Sequence, residues 1–368
     1  MWQITDHLNW EAMRARFSWI RDMEGVLQDP IYHAEGDVAI HTQMVLEALL
    51  ALEAFQVLDT QEQQVLIAAA LLHDVEKRST TQVDKDGRIS SPGHAKKGEY
   101  TARQILFQDI VTPFHLREQV AKLVRYHGLP LWVFEKRDPL QFLLKASVEV
   151  DTRLLAILAR ADVLGRVCDD QADLLYSLDI FEEYCKEQQC FGQAYPFPSA
   201  LSRFTYFQQE GGGSPLYAPY EDTWEEVILL AGLPGMGKDT YTAKHFPGWP
   251  VVSLDHLRRK FNITPRDQKG NGQMIQLALE EARGYLRRQQ PFVWNATNIT
   301  RNNRSRLISL FSSYKAKVRI VYIEAPFATW QKQNLQRDYA VPLLVMDKML
   351  KKLEIPSLAE AHEVTIVL

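Results

Sequence analysis

The sequence is poor in cysteine and has no long apolar run. Its three cysteines, Cys168, Cys185 and Cys190, are too few and too irregularly spaced for a disulfide framework or a CxxC zinc site. No apolar run approaches the roughly 18–20 residues that cross a bilayer, and the N-terminal segment lacks the apolar core of a signal peptide. These absences predict a cytoplasmic protein with no membrane-spanning or disulfide-stabilised module.

Acidic and basic residues are unevenly distributed along the chain. The 368 residues carry a formal net charge of −4. Residues 1–215 contain 21 Lys and Arg against 31 Asp and Glu, a net charge of −10. Residues 216–368 contain 21 against 15, a net charge of +6. A basic second part favours a polyanionic partner, although this charge alone does not establish nucleic-acid binding.

The glycine-rich segment QQEGGGSPLYAPYED, residues 208–222, predicts a linker between two domains. Before it, apolar residues recur at the three- and four-residue spacing of helices, as in YTARQILFQDIV (100–111). After it, short β-rich runs alternate with helical stretches, which is typical of a parallel sheet covered by helices. We predict a multidomain protein, with an all-α helical bundle in residues 1–207 and an α/β domain with a mainly parallel sheet in residues 223–368. The predicted strands are EVILLAG (226–232), PVVSL (250–254), PFVWNAT (291–297), KVRIVYIEA (317–325) and VTIVL (364–368).

The first of these strands leads directly into GLPGMGKD and then into a helical stretch. This spacing and context are those of a Walker A loop, in which glycines let backbone N–H groups surround phosphate oxygens. Gly235, Gly237 and Lys238 are the predicted nucleotide contacts, with the Lys238 ammonium on the β- and γ-phosphates. The next position is usually Ser or Thr, which binds Mg²⁺; here Asp239 precedes Thr240, and either could be the ligand. We therefore predict binding of ATP, or another nucleoside triphosphate, with Mg²⁺.

No DxxG or NKxD pattern of a GTPase accompanies this loop. The second strand ends in SLDHLRRK, which places Asp255 at the carboxyl end of a strand, where α/β sheets build their sites. Asp255 could accept a proton from an attacking hydroxyl, or it could be only the N-cap of the next helix. The third strand runs into WNATNITRNNRSRL, which on its own is typical of a solvated loop before a helix.

Together these motifs resemble the kinase domain of bacteriophage-type 5′-OH polynucleotide kinase-phosphatases. The resemblance covers residues 226–368 and rests on GLPGMGKDT, LDHLR, NATNITRNNR and the segment beginning WQKQNLQRDYAVPLL. It implies that Asp255 is the general base and that Arg258 contacts the 3′-side phosphate of the acceptor strand. The NATNITRNNR segment supplies two further candidate substrate contacts, Arg301 and Arg304.

The lid of that family carries two Arg residues four positions apart, which reach the donor phosphates. Here the second position is Arg337, whereas the first is Gln333. Arg337 is therefore a predicted nucleotide contact, and the lid has one cation fewer than the family pattern.

In the first domain, His and Asp residues fall within or at the ends of predicted helices. The helix TQEQQVLIAAA, with Thr60 as its predicted N-cap, runs into LLHDVEK, where His73 and Asp74 are adjacent. The pair alone would fit the solvated end of a helix. Asp162, however, lies in ILARADVLG, a stretch apolar enough to be buried, and a buried carboxylate needs a partner. Helical bundles assemble metal sites from such residues, and the candidate ligands are His41, His73, Asp74, His94, His127 and Asp162.

The order His41…His73-Asp74…Asp162 resembles the H…HD…D signature of the HD phosphohydrolase superfamily. The segment HAEGDVAIHT (33–42) also resembles the HD domains of bacterial CCA-adding enzymes. The resemblance implies one divalent metal ion held by the four signature residues.

His94 and His127 match the two further histidines of two-metal HD enzymes, so Asp74 would bridge to a second ion held by these two. The resemblance also implies that Lys77, three residues after Asp74, contacts phosphate. We add Arg166, one helical turn after Asp162, as a second cation for the transferred group.

The whole chain resembles the bacterial HD-Pnk end-healing enzymes. The resemblance implies nucleoside triphosphate-dependent phosphorylation of 5′-OH polynucleotide ends and metal-dependent removal of a 2′-, 3′- or 2′,3′-cyclic phosphate, with RNA favoured over DNA. The metal in the HD domain would be a divalent transition metal such as Mn, Ni, Co or Zn, as one ion or two. No ligase lysine motif is evident, so a separate ligase would seal the healed ends.

Two alternatives remain at the level of sequence. One is a small-molecule or nucleoside kinase fused to an HD-type nucleotidase. The other is a nucleotide-sensing P-loop regulator with a degenerate HD bundle. The basic second half and Arg258 favour a polynucleotide, and the full set of predicted ligands argues against a degenerate bundle.

Overall fold

The structure is a computed structural model that describes residues 1–211, 213–264, 267–336 and 340–368. Its internal contacts divide the chain into two compact units, Met1–Pro196 and Phe197–Leu368. Helices dominate the first unit, and a parallel sheet with helices forms the second. The predicted combination of an all-α domain and an α/β domain is confirmed.

The first unit is helical apart from one short antiparallel ribbon, which the sequence pattern does not predict. The ribbon pairs β1 (Gln82–Val83) with β2 (Ile89–Ser90). The helices are α1 (Trp10–Arg16), α2 (Ser18–Arg21), α3 (Val38–Ala51), α4 (Glu53–Gln56), α5 (Thr60–Leu72), α6 (Lys77–Thr80), α7 (His94–Gln108), α8 (Phe114–Tyr126), α9 (Leu129–Trp132), α10 (Pro139–Ser147), α11 (Thr152–Leu164) and α12 (Gln171–Glu187), with a 3₁₀ turn at Val133–Glu135.

Helix α5 crosses the interior of this bundle. Every residue from Val65 to Leu72 is buried, so the helix has no solvent-facing stripe in its second half. A helix that is apolar all round is a core helix. Its carboxyl end therefore delivers His73 and Asp74 to the interior and not to the surface.

The N-terminus of α5 differs by one residue from the sequence-based expectation. The N-cap is Asp59, whose carboxylate accepts hydrogen bonds from the backbone N–H groups of Gln61 and Glu62, both at 2.8 Å. The assignment of Thr60 as N-cap was wrong. A carboxylate at this position can accept two N–H groups and also lies at the positive end of the helix dipole.

The described residues of the second unit form a five-stranded sheet in which all pairs of neighbouring strands are parallel. The strand order is β4-β5-β3-β6-β7, so the first strand of this unit, β3, is the central strand of the sheet. All five predicted strands are present. Their bounds are β3 (Trp224–Ala231), β4 (Val251–Ser253), β5 (Phe292–Asn295), β6 (Ala316–Ile323) and β7 (Glu363–Val367).

Helices connect these parallel strands. Because the strands are parallel, the loops after β3, β4 and β5 leave from the same edge of the sheet. Among the described residues, no helix is both long and apolar enough to cross a bilayer. The helices of this unit are α13 (Ala200–Gln208), α14 (Lys238–His245), α15 (Leu254–Lys260), α16 (Gln268–Arg287), α17 (Arg301–Ser313), α18 (Phe327–Leu335) and α19 (Leu343–Leu350).

Helix α13 belongs with the second unit, whereas the sequence placed it in the first domain. The Arg203 guanidinium donates hydrogen bonds to the backbone carbonyls of Leu358 and His362, at 2.9 and 2.8 Å. The ring of Phe204 stacks on the imidazole of His362, with 3.9 Å between centroids. These contacts put the division at Pro196, before α13, and not at the predicted glycine-rich segment.

Candidate metal centre and phosphate-binding loop

The six predicted metal ligands come together inside the first unit. All except His94, which is half-buried, are at most 5% exposed. Sequence reasoning therefore selected residues that the fold gathers from distant segments. Their positions are His41 on α3, His73 and Asp74 directly after α5, His94 at the start of α7, His127 directly after α8 and Asp162 on α11.

Asp74 lies at the centre of this cluster, and its two carboxylate oxygens face different imidazoles. Oδ1 is 3.3 Å from Nε2 of His94 and 3.8 Å from Nε2 of His127. Oδ2 is 3.3 Å from Nε2 of His73 and 3.8 Å from Nε2 of His41. This is the arrangement of a carboxylate that can bridge two cations.

The ligand atoms form two groups, each compact enough to surround one metal ion. Within each group, the ligand atoms lie within 4.8 Å of one another. One group is His41, His73 and Asp162, and the other is Asp74, His94 and His127.

Backbone carbonyls set the tautomers of three of these histidines. In His73, His94 and His127, Nδ1 lies 2.7–2.8 Å from the carbonyl oxygen of the residue three positions earlier. A carbonyl oxygen only accepts, so each Nδ1 carries the hydrogen and each neutral ring presents its Nε2 lone pair to the cluster. Burial, together with the neighbouring His94, lowers the pKa of His127 to about 3, which keeps this imidazole neutral near pH 7.

With these tautomers, hydrogen-bond acceptors face one another in the buried cluster. Nε2 of His94 and Nε2 of His127 are 3.3 Å apart. Nε2 of His73 and Oδ1 of Asp74 are buried and have no hydrogen-bond partner among the described residues. Buried acceptors in this state are unfavourable unless a cation or donor satisfies them. Imidazole nitrogens and carboxylate oxygens are ligands of divalent transition metals, so the donor set fits such a metal.

Two cations pair with the carboxylates of the cluster. Nζ of Lys77 lies 2.7 Å from Oδ2 of Asp74 and donates to Oε1 of Gln28 at 2.9 Å. Nη2 of Arg166 lies 2.6 Å from Oδ2 of Asp162. Burial alone would raise the pKa of each carboxyl, but Lys77 and Arg166 hold the pKa values of Asp74 and Asp162 well below the usual range. Both carboxylates are therefore ionised and able to act as ligands.

Sequence reasoning missed Glu35, which orients the candidate ligand His41. Its Oε1 lies 2.8 Å from Nδ1 of His41 and 2.8 Å from Nδ1 of His33. The carboxylate thereby turns Nε2 of His41 toward Asp162, whose Oδ1 is 3.1 Å away. Burial would raise the pKa of Glu35, but the bonds from the two imidazoles lower it below its usual value. The segment HAEGDVAIHT contains this residue, but no local pattern indicates that Glu35 faces His41.

Gly165 allows the close approach of α11 to α3 that brings His41 and Asp162 together. A Cβ atom at this position would lie 2.7 Å from the backbone nitrogen of Val45. Such a distance is far inside van der Waals contact, so any larger residue would push the two helices apart. The Gly165 carbonyl is also 3.3 Å from Nδ1 of His41.

A cavity of about 330 Å³ opens beside the cluster. Lys77, His94 and Arg166 contribute to its lining. Both cations and one metal ligand are therefore accessible to a molecule that enters this cavity.

In the second unit, the predicted phosphate-binding loop connects β3 to α14. Gly235 and Gly237 have φ values of +83° and +92°, which favour glycine, and Gly237 is the N-cap of α14. A Cβ atom at Gly232 would overlap the carbonyl oxygen of Ile323. Nζ of Lys238 donates to the carbonyls of Gly232 and Leu233, both at 2.8 Å. The loop therefore presents N–H groups and an ammonium at a helix N-terminus, as phosphate binding requires.

The WNATN segment, which on its own predicted a solvated loop, is buried beneath this phosphate-binding loop. Asn295 donates to Oδ1 of Asp239 at 2.6 Å, and Asn298 donates to the Leu230 carbonyl at 2.6 Å. The expectation of a following helix is confirmed by α17, but the two asparagines are structural supports. Thr240 is exposed, so Asp239 and Thr240 both remain candidate Mg²⁺ ligands.

Asp255 lies on the helix that follows β4, at the edge of the sheet that carries the phosphate-binding loop. It is not the N-cap of α15, because the Ser253 hydroxyl accepts from the His256 N–H at 3.2 Å. The Asp255 carboxylate is 68% exposed and pairs with Nη1 of Arg258 at 2.7 Å. Nε of Arg258 donates to Oδ1 of Asn271 at 2.6 Å, so the guanidinium is held from both sides.

The two predicted substrate contacts near α17, Arg301 and Arg304, differ in their exposure to solvent. The prediction that Arg304 contacts substrate is wrong, because its side chain is completely buried and forms a double hydrogen bond with Glu360, at 2.7 and 2.9 Å. Arg301 begins α17, is half-buried, and its backbone N–H donates to Glu354 at 2.6 Å. The predicted lid contact, Arg337, lies outside the described residues.

Comparisons with known protein families agree with the two sites. A family model described as an HD domain matches residues 38–166, and one described as an AAA domain matches residues 227–356. The first span contains all six candidate metal ligands, and the second contains the phosphate-binding loop. The chain joins an HD domain to a kinase-like P-loop domain. The predicted fusion of these two domain types is confirmed.

One similar solved structure is that of a protein from Chloroflexus aurantiacus, provisionally named a kinase. It is 15% identical, and the match covers 40% of this chain and 86% of that protein, with a TM-score of 0.34. This likeness is too low to add to the fold assignment.

Proposed function

We propose that this protein heals broken polynucleotide ends. Its P-loop domain would transfer the γ-phosphoryl group of ATP, or another nucleoside triphosphate, to a 5′-OH end. Its HD domain would remove a 2′-, 3′- or 2′,3′-cyclic phosphate from the other end. RNA is the favoured substrate because its cleavage by many nucleases leaves these termini, and a separate ligase would then act on the healed ends.

In the kinase reaction, the acceptor 5′-oxygen attacks the γ-phosphorus and the bond to the β-phosphate oxygen breaks. The exposed Asp255 carboxylate, which follows β4 at the sheet edge that carries the phosphate-binding loop, would accept the proton of the 5′-OH. Lys238 and the N–H groups of its loop would neutralise charge on the donor phosphates. Asp239 or Thr240 would bind the Mg²⁺ ion.

The observation that carries the polynucleotide proposal is the fixed guanidinium of Arg258. Its Nε donates to Asn271 at 2.6 Å, and its Nη1 pairs with the proposed base, Asp255, at 2.7 Å. The Arg258 side chain is still 28% exposed. A guanidinium suits a phosphate, and the hydroxyl of a free nucleoside has no phosphate beside it. An acceptor that carries a 3′-phosphate next to its 5′-OH fits both groups, which favours a nucleic-acid end over a nucleoside.

In the HD domain, a divalent metal would be held by the six clustered ligands, and it would supply an acidified water molecule and polarise the phosphoryl oxygens. Lys77 and Arg166 line the adjacent cavity and would bind the phosphoryl oxygens, which orients the phosphate for attack by water. Glu35 and the three backbone carbonyls keep the imidazole lone pairs directed at the centre. Attack breaks the bond from phosphorus to the ribose oxygen, which leaves as a hydroxyl after taking a proton.

A comparison of acceptors tests the kinase proposal. Purified protein with labelled ATP should label a 5′-OH oligonucleotide and a nucleoside 3′-phosphate far better than the matching nucleoside. Arg258→Ala should lose this preference. Labelling of the nucleoside alone would favour the small-molecule kinase and refute end healing.

A second assay tests the phosphatase proposal. Oligoribonucleotides that end in a 2′-phosphate, a 3′-phosphate or a 2′,3′-cyclic phosphate are incubated with the protein and Mn²⁺, Co²⁺, Ni²⁺ or Zn²⁺. Release of phosphate from at least one RNA end is expected. Hydrolysis of free nucleotides with no activity on any RNA end would favour an HD-type nucleotidase.

A further inference from the structure

The cavity beside the metal cluster has an aromatic wall that the proposed chemistry does not use. Trp132 and Tyr32 both line it, and their side chains are 43% and 44% exposed. Trp132 ends α9, which begins two residues after the candidate ligand His127, and its indole Cδ1 would be 3.8 Å from a Cβ atom at Gly128. A large exposed aromatic face that lines the same cavity as the candidate ligand His94 is suited to stacking on a flat group.

The cavity also contains one cation that no carboxylate neutralises. Of its lining cations, Lys77 pairs with Asp74 and Arg166 pairs with Asp162. Arg88 has no side-chain hydrogen bond or ion pair within the described part of the chain. It belongs to the turn between β1 and β2, where its backbone N–H is fixed by the Asp84 carboxylate at 2.9 Å.

Two further carboxylates, Asp29 and Asp170, line the cavity, and within the described part of the chain neither forms an ion pair with Arg88. Oδ1 of Asp29 accepts from the Ile31 backbone N–H at 3.1 Å. An exposed guanidinium that is not paired on the protein is a site for a phosphate oxygen.

The size of the cavity limits what can enter. About 330 Å³ lies at the small end of ligand pockets. One nucleotide can occupy this space, and the rest of a nucleic-acid strand would lie outside. Since stacking on an aromatic ring accepts any base, the recognition would not depend on sequence.

We propose that this cavity is the pocket for the 3′-terminal nucleotide of a single-stranded polynucleotide. The terminal phosphate lies at the metal cluster, the terminal base stacks on Trp132 with Tyr32 beside it, and Arg88 binds the phosphodiester that precedes this nucleotide. The inference rests on the proposed phosphatase function and extends it, because it explains how the HD domain selects a strand end over a free nucleotide.

The test uses the full-length protein loaded with Mn²⁺ and three substrates of increasing size: glycerol 2-phosphate, uridine 3′-monophosphate and a 3′-phosphorylated uridine dinucleotide. Trp132→Ala should raise KM for the two uridine substrates roughly tenfold or more and leave glycerol 2-phosphate hydrolysis unchanged. Trp132→Phe should recover most of this loss. Arg88→Ala should raise KM for the dinucleotide by roughly tenfold, reduce its salt dependence, and leave the mononucleotide unchanged.

The chain offers matched controls for both changes. Phe134 is an exposed aromatic residue two positions after Trp132, and Lys85 is an exposed cation on the same turn as Arg88; neither lines the cavity. Phe134→Ala and Lys85→Ala should match the wild type on all three substrates.

The possible results separate this inference from the proposed function. Equal losses on all three substrates would show that Trp132 and Arg88 have only a structural role, and wild-type kinetics in both variants would also overturn the pocket, while end healing would stand. A wild-type protein that hydrolyses the mononucleotide but not the dinucleotide would refute end healing and the role of Arg88. Failure of the wild type on every substrate would overturn both.

Discussion

Replacement of Arg304 by Met should destabilise the P-loop domain strongly and should not act through substrate binding. The Arg304 guanidinium makes four hydrogen bonds in the core of that domain. Nε and Nη2 donate to the two carboxylate oxygens of Glu360, and Nη1 donates to the carbonyls of Asn298 and Glu354, at 3.0 and 2.8 Å. Methionine fills much of the same volume but can make none of these bonds.

The expected magnitude follows from burial. Removal of one partner from a buried ion pair costs about 3–5 kcal/mol, because the other charge is left without compensation. Here Glu360 would remain at 6% exposure, and two backbone carbonyls would also lose their donor. For a domain of 150–250 residues each kcal/mol shifts Tm by roughly 2–4 °C, so a decrease of about 6–20 °C is expected.

The assay is thermal unfolding of the full-length protein, with residual kinase and phosphatase activities measured after heating. Arg304→Met should lose kinase activity at a lower temperature than the wild type does. Phosphatase activity reports on the HD domain and should be lost at the same temperature in both proteins, so it is an internal reference. Arg306→Met is the matched control, because Arg306 is an exposed cation on the same helix. The double substitution Arg304→Met with Glu360→Gln removes the stranded charge and should cost less than the sum of the two single changes.

A different result would restore the prediction made from sequence. If Arg304→Met unfolds at the same temperature as Arg306→Met but binds a 5′-OH oligonucleotide more weakly, Arg304 contacts substrate. The stability of the P-loop domain would then not depend on the buried Arg304–Glu360 ion pair.

Three further substitutions test how the work is divided between the domains. Lys238→Ala, which removes the P-loop ammonium, should abolish phosphorylation of a 5′-OH oligonucleotide and leave phosphatase activity intact; loss of both activities would show that the sites are not separable. Asp74→Ala, which removes the carboxylate between the two ligand groups, should lower the content of bound divalent metal measured by elemental analysis and abolish phosphatase but not kinase activity; unchanged metal content would refute the ligand assignment. Asp255→Ala should slow phosphoryl transfer on the order of 10²-fold or more while ATP binding, measured by calorimetry, stays nearly the same; near-normal turnover would reduce Asp255 to an exposed partner of Arg258.

The sequence could select the residues that cluster as candidate metal ligands because residue type and order carry that information. Asp162 lies in an apolar helix, where burial of a carboxylate without a partner is energetically unfavourable. The candidate histidines occur at or near the ends of helices. Glu35 could not be found in this way. It lies before α3, and its importance depends on the rotation of His41 and on the approach of α11 at Gly165, which are properties of the folded bundle.

The error at Arg304 had a signal in the sequence. The buried face of α17 consists of residues 304, 307, 308 and 311, of which the last three lie three, four and seven positions from Arg304, as on one face of a helix. The apolar members of this series predict that position 304 also faces the core. Residue type alone, an Arg near a candidate phosphate site, suggested the opposite.

Trp132 and Arg88 show a different limit. Each lies in a segment with no recognisable motif, one at the end of a single-turn helix and one in a ribbon of two short strands. Their relation to the metal cluster arises only when separate segments line one cavity. The spacing of these residues along the chain does not indicate that they line the same cavity.

The charges around the metal cluster explain why cations accompany the ligands. The ionised Asp74 and Asp162 are balanced by Lys77 and Arg166, so these four side chains carry no net charge. With the ionised Glu35 included the net charge is −1, so a bound divalent ion would leave about +1, which still attracts a phosphate dianion. If the two carboxylates stood alone, one divalent ion would only neutralise them and nothing would remain to attract the substrate. Lys77 and Arg166 would therefore make metal binding harder and phosphate binding easier, which fits the proposed phosphatase function.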